Sequence, residues 1–175
     1  AEINGLRAYK TVSDIPEPVD LAILIIPAEF VPGVLDECGA AGVKAAQIIT
    51  SGFAEQDDET GRALQDSIKD IAARHDMAVC GPNSEGFANT LAALCPTFSP
   101  AVDRLDAPLI PPWRDDGHVA VISQSGGMGF AFFDRGRPKQ IPFNYVLTTG
   151  NEACLGVLDL LDHLLDEDRT DVFIL

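Results

Sequence analysis

The feature that most constrains this chain is a repeated alternation of short apolar runs with segments of helical spacing. Leu21-Ala22-Ile23-Leu24-Ile25-Ile26 is apolar without a break and stops at Pro27. Such a run, with no polar alternation, reads as a strand covered on both faces. Beyond it, Phe30, Val31, Val34, Leu35 and Cys38 fall at helical intervals, and Gly39 or Gly42 can end the helix. Residues 43–50 give a second strand, with Ile48 and Ile49 at its buried end. Residues 57–75 give a second helix carrying Leu64, Ile68, Ile71 and Ala72 on one face. Its early acids Asp57, Asp58 and Glu59 complement the helix N-terminus. Residues 77–80 form a third short strand. Strands and helices alternating over short connections predict a parallel sheet with helices on both faces.

Residues 81–116 break the rhythm. They hold six of the 12 prolines, namely Pro82, Pro96, Pro100, Pro108, Pro111 and Pro112. The stretch reads as an ordered crossover plus a domain connection, with Trp113 packed over the joint. The rhythm then resumes with strands over 118–122, 144–147 and 172–175 and helices over 127–133 and 155–165. The expected organisation is an α/β unit over 1–104, a linker over 105–116, and a second α/β unit over 117–175. The opening residues run into a turn with no strand before it, and the chain stops inside the apolar run Val172 to Leu175. Both ends read as cut.

The formal charge of −15 argues against a nucleic-acid partner or an anionic membrane surface, both of which need clustered cations. Hydrophobic residues make up 46% of the chain, enough for a packed core and too many for a disordered segment. Four irregularly spaced cysteines are not a disulfide scaffold, so a reduced, cytoplasmic setting is expected. No apolar run approaches the roughly 20 residues that cross a bilayer, and no signal peptide is visible.

The loops after the strands carry the chemistry. Ser123-Gln124-Ser125-Gly126-Gly127 follows a buried strand and opens a helix. Helix-start N–H groups, glycines and two hydroxyls suit a phosphate or a phosphorylated side chain. A Ser N-cap followed by a glycine turn reads equally from the same residues. The loop is neither a Walker loop nor a nucleophile elbow. Gly81-Pro82-Asn83-Ser84-Glu85-Gly86 is a second such loop, in which Asn83 offers a donor and an acceptor to an amide-containing ligand, or simply holds a turn. Ile26-Pro27-Ala28 and Thr50-Ser51-Gly52-Phe53 also follow strands. In an open parallel sheet these loops collect on one edge and form a cofactor groove. Glu152, in Gly150-Asn151-Glu152-Ala153, either orients a cationic group or phosphohistidine ring, or stabilises the next helix by sitting near its start.

His75, His118 and His163 show no metal-ligand spacing, and Cys38, Cys80, Cys95 and Cys154 form no Cys-x-x-Cys motif. His75 stands at a helix end, where a partly charged imidazole is favoured. The acidic stretch over 166–171 reads as a solvated helix–strand loop. No metal site is expected.

Taken together, residues 21–29, 48–55, 81–90, 117–129 and 147–153 resemble, in order and spacing, the NDP-forming acyl-CoA synthetase superfamily. The similarity is to the alpha part of ADP-forming acetate–CoA ligases and their succinyl-CoA-ligase-like relatives, and it spans the whole chain. It implies a Rossmann-like CoA-binding domain with a parallel sheet, followed by the start of a flavodoxin-like succinyl-CoA-ligase-type domain. It implies coenzyme A beside Ile26, Pro27, Ala28, Ile49, Thr50, Ser51 and Asn83. It implies phosphate at Ser123, Gln124, Ser125, Gly126 and Gly127, with Glu152 supporting a phosphohistidine. The implied reaction converts acyl-CoA, phosphate and NDP into acid, CoA and NTP through an acyl phosphate and a phosphohistidine.

The same resemblance implies a small carboxylic acid as substrate. ATP or ADP, with Mg, would bind only through an ATP-grasp module in the same polypeptide or a partner subunit, giving a homo- or hetero-oligomer. The family's opening strand and diphosphate loop have no counterpart here, and its phosphorylated histidine falls beyond residue 175. Neither His118 nor His163 matches it, so no catalytic residue is assigned and the chain alone is expected to be incomplete as an enzyme. Ser84 stands where many relatives have Cys. Cys154 and Gly156 stand where many have acidic or branched residues, which leaves acyl specificity open. The alternative is a CoA-binding regulatory or scaffold module of a protein acetyltransferase with a degenerate ligase-like region.

Overall fold

The computed structural model describes residues 1–103 and 117–175. The linker expected over 105–116, with Pro108, Pro111, Pro112 and Trp113, lies outside the described residues.

The opening residues form a small hairpin, so the expected turn does have a strand before it. β1 (Glu2–Ile3) pairs antiparallel with β2 (Leu6–Arg7). Asn4 and Gly5 connect them with φ of 50° and 81°, the left-handed conformations that an Asn-Gly hairpin turn uses.

The first α/β unit contains β3 (Leu21–Leu24), α1 (Val31–Ala40), β4 (Ala45–Ile48), α2 (Glu59–His75) and β5 (Ala78–Cys80). The three strands are parallel in the order β3-β4-β5, with Leu24 opposite Ile48 and Ala46 opposite Val79. Leu24, Ile48 and Val79 share one core with Val31 and Leu35 of α1 and Ile68 and Ile71 of α2. Both helices therefore serve one core instead of dividing between two faces. Ile23 and Ile25, on the β3 run read as covered on both sides, are 41% and 68% exposed. Continuous apolarity cannot distinguish a strand buried on two faces from one whose second face lacks a covering element.

Local chemistry sets the helix limits. Asp58 caps α2 by accepting from the Gly61 N–H at 2.6 Å. The helix ends at Asp76, which is left-handed at φ 50°. His75 in its last turn contacts Asp36 of α1 at 2.7 Å, and Arg74 pairs with the same carboxylate. These contacts staple the two helices together.

The second sheet has the order β6-β8-β7-β9, built from β6 (Phe87–Asn89), β7 (Val119–Ser123), β8 (Phe143–Thr148) and β9 (Val172–Ile174). All neighbours are parallel except β6, which runs antiparallel to β8. The proline-rich stretch thus contains a strand that composition concealed, and that strand joins the second sheet. This sheet is covered on both faces. Val119 and Val121 pack with Phe130 and Phe133 of α3 (Gly126–Gly136), while Ala120 and Ile122 pack with Leu164 of α4 (Val157–Asp166). The period-2 alternation of β7 separates these two cores.

The two sheets are tied by the segment between β8 and α4. Asn151 N–H donates to Pro82 O at 2.9 Å, Ala153 N–H to Gly81 O at 3.0 Å and Leu155 N–H to Val79 O at 3.0 Å. Cys80 and Leu155 form a parallel bridge, so this segment extends the first sheet beyond β5.

Among the described residues, no helix is long and apolar enough to cross a membrane.

Candidate functional site

A cleft of about 650 Å³ opens where the two units meet, at the C-terminal ends of their parallel strands. One wall comes from the loops after β4 and β5, through Ile49, Ser51, Asn83, Ser84 and Glu85. The opposing wall comes from Gln124, Ser125, Gly126 and Gly127, with Gly150 and Asn151 at the junction. Sequence reasoning named seven residues for one ligand and five for another. The cleft joins Ile49, Ser51 and Asn83 of the first set to Gln124, Ser125, Gly126 and Gly127 of the second.

The remaining named residues stand behind or beside that wall. Thr50 turns its hydroxyl to the loop after β3, donating to Ile26 O at 2.8 Å and accepting from Ile26 N–H at 3.2 Å. The Thr50 carbonyl accepts from Asn83 N–H at 2.8 Å. One residue therefore holds the three loops after β3, β4 and β5 in register. A Cβ placed on Gly52, at φ 107°, would lie 3.2 Å from the Ala28 Cβ, so Ala28 and the Ser51–Gly52 turn are adjacent. Pro27 is exposed and opens the short turn Ala28–Phe30.

Ser125 caps α3, accepting from Met128 N–H at 3.3 Å. Capping and ligand contact are compatible here, because the first-turn N–H groups of a helix have no intrahelical partners and one cap satisfies only one of them. Ser123 ends β7, and its carbonyl accepts from Thr149 N–H at 3.0 Å. No Lys or Arg lines the cleft among the described residues. An anion held there relies on backbone N–H groups and the helix dipole.

Gly126 abuts Glu85, and a Cβ at Gly126 would overlap the Glu85 side chain. Glu152 lies beside the cleft at φ 56°. Its Oε1 accepts from Val157 N–H, the first residue of α4, at 3.0 Å and from the Thr149 hydroxyl at 2.9 Å. Of the two roles its sequence position allowed, the carboxylate performs the helix-start one in this structure.

Seven cleft residues were not among the named site residues: Ala54, Gln65, Ser84, Glu85, Phe98, Gly150 and Asn151. Ser84, Glu85, Gly150 and Asn151 lie within loops already singled out. Gln65 had a signal of its own, since it is the polar residue on the apolar face of α2, and it is buried. It accepts from Ala54 N–H at 3.3 Å and from the Asn151 amide at 3.0 Å. Phe98, 66% exposed at the cleft, had no sequence signal. Glu55 stands just behind the wall. Partial burial pushes its carboxyl up, but the Gly52 N–H and the Asn151 amide outweigh that and hold it below its ordinary value.

The histidines stay outside the cleft. His75 staples α1 to α2, and His163 lies 3.5 Å from Glu167 one turn along α4. His118 N–H donates to Asp171 at 2.9 Å, so the acidic loop after α4 anchors β7 as well as facing solvent. Among the described residues, no cluster of three or more His, Cys, Asp or Glu side chains could hold a metal ion.

Residues 1–90 match the CoA binding domain family, and residues 116–175 match the succinyl-CoA ligase like flavodoxin domain. The chain is 39% identical over 174 residues to an ADP-forming acetate–CoA ligase of Methanocaldococcus jannaschii, covering 99% of this chain and 23% of that protein. It is also 39% identical over 171 residues to the alpha subunit of an ADP-forming acetate–CoA ligase of Pyrococcus furiosus, covering 97% of this chain and 34% of that subunit. A dinucleotide-forming acetyl-coenzyme A synthetase of Candidatus Korarchaeum cryptofilum, solved in complex with phosphate and ADP, superposes with a TM-score of 0.81 at 36% identity, over 98% of this chain and 34% of that one. The chain thus spans 23% to 34% of the length of these relatives. It belongs to the CoA-binding domain family, with a succinyl-CoA-ligase-like flavodoxin domain following in the same chain.

Proposed function

We propose that these residues are the CoA- and phosphate-handling portion of an NDP-forming acid–CoA ligase, which interconverts acyl-CoA, phosphate and NDP with acid, CoA and NTP. The observation that carries this reading is the shared cleft, where the loops of a CoA-binding unit face the first turn of α3. Ile49, Ser51 and Asn83 contact the thioester end of CoA. Ile26, Pro27, Ala28 and Thr50 shape the path of the rest of the molecule. Gln124, Ser125, Gly126 and Gly127 receive phosphate, with Ser123 anchoring the loop. Glu152 supports a phosphohistidine indirectly, through Thr149 and the start of α4.

The phosphorylated histidine is neither His118 nor His163, since neither lines the cleft. The nucleotide and its Mg belong to an ATP-grasp module, in the same polypeptide or in a partner subunit. We place a linker over 105–116, preceded by β6, which already belongs to the second sheet. Four free thiols fit a reducing cytoplasm. The ligase relatives favour this reading over an acetyltransferase scaffold.

The test uses the full-length protein with its nucleotide module. Incubation with γ-labelled ATP is expected to give an acid-labile phosphohistidine that is discharged by acid plus CoA. CoA binding without any label, or label that acid and CoA leave untouched, overturns the ligase reading.

A further inference from the structure

The junction between the two walls of the cleft is made by Gly150 and Asn151. Gly150 packs directly on the Pro82–Asn83 backbone, so closely that a Cβ there would overlap it. Its φ of 62° and this contact both call for glycine. Gly150 N–H donates to Gln124 O at 3.2 Å, toward the phosphate loop, while Asn151 N–H donates to Pro82 O at 2.9 Å, toward the CoA loop.

The Asn151 side chain completes the junction. Its Oδ1 accepts from the Asn83 amide at 3.2 Å. Its Nδ2 donates to Gln65 Oε1 at 3.0 Å and to Glu55 Oε2. Glu55 in turn accepts from Gly52 N–H and Phe53 N–H, which fixes the turn after Ser51. A single amide thus reaches the loop after β4, the loop after β5 and helix α2. Its own backbone neighbour reaches the loop after β7. Only an amide side chain of this length supplies one acceptor and two donors together. Asp would set a second carboxylate against Glu55, and an apolar residue would leave Glu55, Gln65 and Asn83 without these bonds.

We propose that Asn151 is a positioning residue of the acid–CoA ligase reaction. It fixes the CoA loop at Asn83 against the phosphate loop at Gln124–Gly127, so that a thiol on one wall and a phosphorylated group on the other meet at reacting distance. This role rests on the ligase reading above. It requires no contact between Asn151 and either substrate.

The test is steady-state kinetics on the full-length enzyme, comparing wild type, Asn151→Asp, Asn151→Ser, Glu55→Gln and the double variant Glu55→Gln/Asn151→Asp. A misplacement of about 1 Å can cost about 100-fold in rate. Asn151→Asp is therefore expected to lower kcat by about 10- to 100-fold, with the KM values for CoA and phosphate changed less than about 3-fold. The double variant restores an amide–carboxylate pair with the roles exchanged, and is expected to recover about 10-fold of that loss.

Absence of recovery in a folded double variant overturns the proposal. So does a rise in the KM for CoA that matches the fall in kcat. Should Asn151→Asp fail to fold, Asn151→Ser carries the same kcat-against-KM reading without the added charge. A wild-type enzyme with no turnover at all marks the failure of the ligase reading. An active wild type without the kcat-selective loss marks the failure of the positioning role alone.

Discussion

The Ser84 hydroxyl donates to the Thr148 carbonyl at 2.6 Å, tying the loop after β5 to the end of β8. Both residues are buried. The Thr148 hydroxyl donates to Gly86 O at 2.7 Å and accepts from Glu85 N–H at 3.1 Å, while Ser84 Oγ accepts from Gly86 N–H at 2.9 Å. Three of these bonds cross the joint, and the fourth closes the turn on itself. Thr148→Val keeps the shape and removes the hydroxyl, leaving Glu85 N–H without its acceptor. The expected cost is about 1–3 kcal/mol in the free energy of unfolding, read by denaturant titration. An unchanged midpoint would show that water takes over these bonds. Ser84→Cys is expected to cost less than Ser84→Ala, because a thiol remains a weak donor and acceptor.

Two consecutive glycines at the start of α3 are expected to behave oppositely. A Cβ at Gly126 would overlap Glu85, whereas a Cβ at Gly127 meets nothing within 4 Å. Gly126→Ala should destabilise by about 1–3 kcal/mol through overpacking. Gly127→Ala should be neutral or stabilising by up to about 1 kcal/mol, because alanine restricts the unfolded chain and suits a helix. Gly126→Val should additionally impair phosphate-dependent steps more than CoA binding in the full-length enzyme. Thermal unfolding of the two alanine variants side by side checks the first contrast, and equal shifts would contradict it.

Burial pushes all four thiols upward. Cys80, which donates to Thr148 O at 3.5 Å, is pushed up to about 11, and Cys38, Cys95 and Cys154 move in the same direction. The reactive thiolate is therefore scarce at neutral pH. Alkylation by iodoacetamide is expected to be slow in the folded protein and complete for four cysteines after denaturation. Rapid labelling of Cys80 in the native state would refute the burial argument.

Glu55 gives stability a defined pH dependence. Its folded carboxyl lies below the ordinary 4.5, so the unfolded chain takes up a proton first as pH falls. The stabilisation is fully present above the ordinary value and is lost as pH drops through the folded value. Wild type should therefore exceed Glu55→Gln in stability at neutral pH, and the gap should close as the pH falls below the ordinary 4.5 and through the lowered folded value. Asp36, held low chiefly by its bond to His75, titrates in the same acid range but is common to both proteins and cancels in the difference. A gap that stays constant with pH would place the stabilisation outside the Glu55 charge.

Much of the site was legible one loop at a time. Each named loop follows a strand, and the strand pattern alone puts such loops on one sheet edge. Asn83 and Gln124–Gly127 stood out as glycine, amide and hydroxyl residues after an apolar run, but caps and turns use the same residues, and only the family resemblance separated the two readings. Glu85 and Asn151 carry the same local signature but could not be ranked above their neighbours. Their importance comes from what lies across the joint. Phe98 follows Pro96 and Thr97 in a stretch whose proline content hid the strand β6, and no local pattern marks it.

By itself the sequence determined the βα alternation, because periodicity is local physics, and the family, because its motifs recur in order and spacing along the chain. Tertiary structure decided which faces are covered. Ile23 and Ile122 both sit in continuous apolar runs, yet one is exposed and the other fully buried. The difference is whether a helix from elsewhere in the chain packs over that face. It also decided that the two units share one cleft. The hydrogen bonds that join them, from Asn151 to Pro82 and from Ser84 to Thr148, link residues 64 to 69 positions apart, a relation that no local spacing encodes.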